Sequence, residues 1–235
     1  MLPSNWLALI VTFAVALIWL RLMDFAAQRG WVSNRLSRKI IHMGTGPLYV
    51  MCWALFKDTP DARYLAALVP ALITLQFTLV GFGILHDDAS VQAMSRTGNP
   101  REILRGPLFY GIIFVVLTLV YWLENPIGII ALMILSGGDG LADIVGRRFG
   151  QAKLYWNQDK SWLGSLGMFT GSGIFALAML FYYVALGTFA GPVTSYIIPV
   201  TVIALAATVV ESFPLQDYDN ITITLTAVLM GYLVL

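Results

Sequence analysis

The stretch IGIIALMILSGGDGLADIV (127–145) decides how this chain is read. It opens as an unbroken apolar run and closes on glycines and two acids, Asp139 and Asp143. Its length suits a helix crossing a hydrocarbon core. A carboxylate within such a helix costs about 2.5–3.5 kcal/mol on insertion scales. A spanning helix that keeps two of them needs them for something.

Working outward, seven further apolar blocks occupy 6–22, 40–56, 65–85, 107–123, 166–186, 196–210 and 221–235. The last is short for a span unless its helix starts earlier. The chain is 58% hydrophobic and only 11% charged, whereas soluble domains are about 25% charged. These features predict an all-α, polytopic transmembrane bundle of about eight spanning helices (six to eight), forming one integral membrane domain over 1–235. A net charge of +1 gives no electrostatic case for nucleic acid. The single cysteine, Cys52, excludes an intramolecular disulfide framework or thiolate cluster and reads as a packing residue. The first block follows Met1 almost at once, with no basic leader or cleavage site, so it reads as a retained helix. With no Ser/Arg-rich transit segment ahead of it, the chain reads as bacterial or already mature.

Lys and Arg counts set the orientation. Arg21, Arg29, Arg35, Arg38 and Lys39 fall in the first connection, Arg96, Arg101 and Arg105 in the third, and Arg147, Arg148, Lys153 and Lys160 in the fifth. Only Lys57 and Arg63 fall on the other side. The odd connections are therefore expected in the cytoplasm, with the N-terminus outside. RKIIHMGTG (38–46), SRTGNPREILRG (95–106), SGGDGLADIVGRRFG (136–150), KSWLGS (160–165) and VESFPLQDYDN (210–220) then share one face. Trp6, Trp19, Trp53 and Trp122, near block ends, read as an interfacial aromatic belt. Pro47, Pro70 and Pro199 are expected to kink their helices, and Gly167 and Gly171 to serve close helix packing.

On a helix, Asp139 and Asp143 share a face, and Arg147 continues the stripe. Two such acids repel unless a cation lies between them. A Mg²⁺ ion held by both is one resolution, and an ion pair of Asp143 with Arg147 is the other. Glycines including Gly138, Gly140 and Gly146 would let backbone N–H groups approach phosphate. Lys160, with Arg147, Arg148 and Lys153, reads either as charge compensation for a transferring phosphoryl group or as positive-inside anchoring. Glu211, Asp217, Asp219 and Asn220 form an acidic segment without Lys or Arg. It suits a metal ligand, a base for an acceptor hydroxyl, or a solvated turn. Arg38, Lys39 and His42 read as phosphate contacts or as an interfacial cluster. His86, Asp87 and Asp88 read as a loop or weak site. The long connection with Asn99, Arg101, Glu102 and Arg105 suits substrate contact or anchoring. No P-loop, protein-kinase motif or HExxH site is present.

SRKIIH, GGDGLADIVGRRFG, KSWLGSLGMF and VESFPLQDYDN, in that order, resemble the phytol kinase branch of the CTP-dependent polyprenol kinase family, which includes dolichol kinase-like proteins. The resemblance runs over about three-quarters of the chain. It implies transfer of the γ-phosphoryl group of CTP, with Mg²⁺, to the primary hydroxyl of an isoprenoid alcohol lying in the bilayer, phytol foremost, feeding tocopherol or other prenyl-lipid synthesis. In that reading Asp139 and Asp143 hold the metal. Lys160, Arg147 and Lys153 offset charge, and Asp219 or Glu211 orients the hydroxyl or adds a ligand. A cyanobacterial inner or photosynthetic membrane is the expected setting. The acidic segment followed by GRRFG also looks like CTP:phosphatidate cytidylyltransferase. A small transporter or channel is the non-enzymatic alternative. CDP-alcohol phosphotransferases share the DG step but not the spacing, since Ser136 stands where they carry an acid.

Overall fold

The computed structural model describes residues 1–95, 97–215 and 218–235, with the side chains of Asp24, Ala27, Gln28, Asn34, Arg35 and Ala93 left aside. Arg96, Asp217 and the Arg35 side chain, all singled out above, lie outside what is described.

The molecule is helical and falls into two compact units, Met1–Val120 and Tyr121–Leu235. The first holds α1 (Asn5–Gln28), α2 (Asn34–Cys52), α3 (Ala62–Gly81), a short α4 (Asp88–Met94) and α5 (Gly106–Tyr121). The second holds α6 (Pro126–Met133), α7 (Asp139–Phe149), the strands β1 (Lys153–Leu154) and β2 (Asn157–Ser161), then α8 (Trp162–Ala185), α9 (Ile197–Glu211) and α10 (Asp219–Val234).

Each of the eight apolar blocks became a helix because backbone polar groups facing lipid must be paired within their own segment. Among the described residues, six helices are long and apolar enough to cross a membrane. α10 is shorter, although it starts at Asp219, ahead of its apolar block. Threonines in these helices satisfy their hydroxyls internally. Thr12, Thr74, Thr118, Thr208 and Thr224 each donate to the carbonyl four residues back, at 2.6–2.7 Å.

In the first unit α1 packs on α2 and α3. Tyr49 of α2 reaches Ala66 O of α3 at 3.1 Å and Thr118 Oγ1 of α5 at 3.0 Å. Trp53 is fully buried edge-on against Tyr49, and in the second unit Trp122 is buried too. Both correct the aromatic-belt expectation: their indoles fill core space. Asp87 caps α4, accepting from Ser90 N at 3.0 Å and Gln76 at 3.1 Å. Burial opposes its charge, but the Ser90 and Gln76 hydrogen bonds and Arg21 hold its carboxyl below the usual range. Asn99 caps a 3₁₀ turn over Pro100–Leu104.

In the second unit, α6 and α7 join through a π-helical turn, Ile134–Gly138, into one run that is the most enclosed of the six candidate spans. A π turn inserted in a helix often marks a functional site. Here it falls immediately before Asp139. The run packs on α8, and α9 and α10 close the unit. The all-α expectation holds, and the short β1–β2 hairpin is the sheet found among the described residues. Lys160, expected simply to precede a helix, sits on β2.

The α7–α8 contact is unusually close. A Cβ on Gly146 would meet Gly164 Cα at 3.1 Å, and one on Gly171 would meet Gly137 O at 2.6 Å. Because that obstacle is backbone, Gly171→Ala must push the helices apart. We expect a loss of about 1–3 kcal/mol, the usual range for overpacking, seen as a lower thermal midpoint in detergent.

Candidate active site

The site begins with how the fold places Lys160. β1 and β2 pair antiparallel around Tyr155 and Trp156. Ser161 ends β2 and caps α8, accepting from Gly164 N at 3.1 Å. The hairpin is latched to the end of α9: Trp156 Nε1 donates to Ser212 Oγ at 3.2 Å, and Asn157 Nδ2 to Ser212 O at 3.1 Å. This brings the Lys160 ammonium into an ion pair with Glu211 Oε1.

Glu211 is the last residue of α9 and is 3% exposed. A helix C-terminus already carries partial negative charge, so a buried carboxylate there is unfavourable without a cation. Lys160 supplies one on one side only. Oε2 of Glu211 is buried and has no hydrogen-bond partner among the described residues. An orphaned carboxylate oxygen of this kind calls for an explanation, and a bound cation or donor is one.

Two further carboxylates act on the pair. Asp139, buried at the start of α7, and Asp219, half-buried at the start of α10, both act electrostatically on Lys160. Burial works against the lysine's charge. The Glu211, Asp139 and Asp219 carboxylates outweigh it and hold the ammonium above the ordinary 10.5. A raised lysine contributes stability that is complete below its unfolded value and is lost only as pH rises through the folded one. The rate profile should therefore show no descending limb from Lys160 between about pH 7 and pH 9. A steady-state pH series on the purified protein checks this.

Thus Asp139, Lys160, Glu211 and Asp219 fall within one electrostatic cluster. Asn220 is buried beside it, its backbone N donating to Asp219 Oδ1 at 3.0 Å. Asp143 is engaged by Arg147 Nε, the ion-paired arrangement that its spacing allowed. Arg148 is exposed with its guanidinium over the Phe149 ring, and Lys153 is exposed on β1. Gly138 and Gly140 are buried in helix. A Cβ on Gly138 would run into Ser172 and Met168, so close packing on α8 is one reason for glycine there, as it is at Gly146. Arg38, Lys39 and His42 lie half-buried on α2 in the other unit. There the His42 carbonyl accepts from Tyr110 Oη at 2.8 Å, and the two rings lie 4.3 Å apart.

Sequence reasoning missed Trp156, Asn157 and their anchor Ser212. Their link joins positions more than fifty apart, and no local pattern announces it. Among the described residues, no three of the types His, Cys, Asp and Glu are grouped to hold a metal ion. The cluster's three carboxylates, Asp139, Glu211 and Asp219, are thus not gathered round one point, and one or two of them, with the unpaired Glu211 oxygen, are what it offers a cation. That donor set suits Mg²⁺ completed by substrate phosphates and water.

No family model matches the chain, and no solved structure does. Curated proteins do. A probable phytol kinase 1, chloroplastic, of Oryza sativa subsp. japonica is 43% identical over 91% of this chain and 68% of its own length. Phytol kinase 1, chloroplastic, of Arabidopsis thaliana is 38% identical over 88% of this chain and 68% of its own length. A farnesol kinase, chloroplastic, also of Arabidopsis thaliana, is 38% identical over 95% of this chain and 73% of its own length. These are plant proteins named as chloroplastic, so the expectation of a bacterial source is not borne out.

Proposed function

The chain belongs to the phytol kinase family, and we propose from that premise that its acceptor is phytol, converted to phytyl phosphate for tocopherol or related prenyl-lipid synthesis. It is a membrane kinase of isoprenoid alcohols. We further propose CTP as donor, Mg²⁺ as cofactor, and both compact units as parts of one kinase domain over 1–235. The observation that carries the site assignment is the Lys160–Glu211 pair, with its orphaned Glu211 oxygen and with Asp139 and Asp219 in electrostatic reach. The kinase names of the relatives favour phosphoryl transfer over cytidylyl transfer and over ion transport.

The alcohol oxygen attacks the γ-phosphorus. An oxygen–phosphorus bond forms, the bridge to the β-phosphate breaks, and the nucleoside diphosphate leaves. Lys160 compensates charge on the transferring oxygens, where a preorganised cation is worth most. Asp219 receives the hydroxyl proton. Asp139 and Glu211 Oε2 are the groups to hold Mg²⁺, which would neutralise phosphate charge when bound. Asp143, whose Oδ1 is engaged by Arg147, is a further candidate to hold it. Arg147 is a secondary candidate for phosphate contact. The isoprenoid chain stays in the bilayer, because extracting it would cost about 0.8 kcal/mol per CH₂.

An acceptor panel tests the assignment. With labelled CTP or ATP, purified protein should give the highest kcat/KM for phytol, ahead of geranylgeraniol, farnesol and dolichol. Phosphorylation of dolichol but not phytol would overturn the acceptor. ATP used in preference to CTP would overturn the donor.

A further inference from the structure

Three candidate membrane spans begin or end beside one hairpin. Phe149 ends the first, Trp162 starts the second, and Glu211 ends the third. Residues 150–161 connect the first two, and Trp156 and Asn157 bind Ser212 at the end of the third. Fixed at both ends and latched in the middle, the hairpin stays at the common end of these three candidate spans, where crossing helices pass from hydrocarbon to headgroups.

At that level it exposes large aromatic surface. Tyr155 is 87% exposed, and Phe149, Trp156 and Trp162 are each about half exposed. Trp156 and Trp162 meet edge to face at 5.8 Å. Arg148 and Lys153 are exposed beside them. Arg147 is engaged by Asp143, and Asp159 is the exposed acid of the hairpin. Aromatic rings with net positive charge at one depth suit the headgroup layer, and the cations favour anionic lipid.

We propose that this hairpin face docks on anionic lipid headgroups, and that its seating holds Lys160, on the same hairpin, against Glu211. The second clause rests on the kinase reading, whereas the first does not.

Cys52, the chain's single cysteine, is buried, so Tyr155→Cys accepts a nitroxide selectively in the folded full chain. The labelled protein is placed in phosphatidylcholine vesicles with or without about 30% phosphatidylglycerol. The expected label depth is the headgroup layer, with less access for a water-soluble relaxant when anionic lipid is present. Phytol phosphorylation by the unlabelled protein should rise roughly fivefold with the anionic lipid. Tyr155→Ser should flatten that rise and leave the rate in phosphatidylcholine unchanged. A label equally open to water in both vesicles overturns the docking, even where phytol is phosphorylated. A deep, lipid-sensitive label with no phosphorylated alcohol supports the docking and removes the kinase reading. A deep, lipid-sensitive label with a rate indifferent to lipid overturns the seating of Lys160.

Discussion

Lys160→Met lowers phytol turnover by roughly 10²- to 10³-fold at saturating substrates, the loss found when one preorganised charge is taken from a developing anion. Methionine keeps much of the side chain's length and apolar stem but removes its charge. The change also strands Glu211, which is 3% exposed at the negative end of α9. Breaking a buried pair from one side costs about 3–5 kcal/mol. The Lys160 side chain is 29% exposed, which places this case at the lower end. Lost activity could therefore be mistaken for lost folding. The double variant Lys160→Met with Glu211→Gln, read against Glu211→Gln alone to show what the lost carboxylate costs by itself, separates the two, because a neutral glutamine no longer needs the cation. It should recover most of the thermal midpoint in detergent and almost none of the turnover. Recovery of both would mean that the pair only holds the hairpin to α9.

Asp139→Asn carries the second large effect, with opposite signs on activity and stability. Asn is nearly isosteric, and Asp139 lies 7% exposed among the acids Glu211 and Asp219. Removing its charge relieves repulsion and desolvation, so stability should hold or rise slightly. Phosphoryl transfer should fall by about 10³-fold, because a carboxylate assigned to hold the metal on the phosphates is gone. A labelled-phosphate assay read beside a thermal melt gives both signs. Full activity with a raised midpoint would make Asp139 a structural residue.

The helices were legible because lipid imposes one rule on every segment: pair the backbone internally and stay apolar for the thickness of the bilayer. The block 127–145 even showed where the rule is broken, and Asp139 begins α7 at the π turn found there. The hairpin was not legible. NQDKS (157–161) is polar throughout, and its partner strand has only two residues, so no alternation marks it. Tryptophan near a block end did not distinguish the buried Trp53 from an interfacial ring, because both environments accept a large amphipathic side chain. Glycines were ambiguous for a related reason. A phosphate cradle and a close helix contact both need a missing Cβ, and at Gly138 the structure supplies the helix contact. Asp143 had two partners open to it from spacing alone, and it takes Arg147. Lys160 and Glu211 were each singled out in their own motifs, but their pairing depends on the latch to Ser212, which joins distant parts of the chain.

The measurement that bears most directly on the whole account is a single turnover of purified protein with phytol and CTP carrying different isotopes at the α and γ phosphorus atoms. Transfer of the γ-phosphoryl group predicts a lipid product that carries the γ label alone, with the α label left in CDP. A lipid product carrying the α label, or hydrolysis of CTP with no label in lipid, would contradict it.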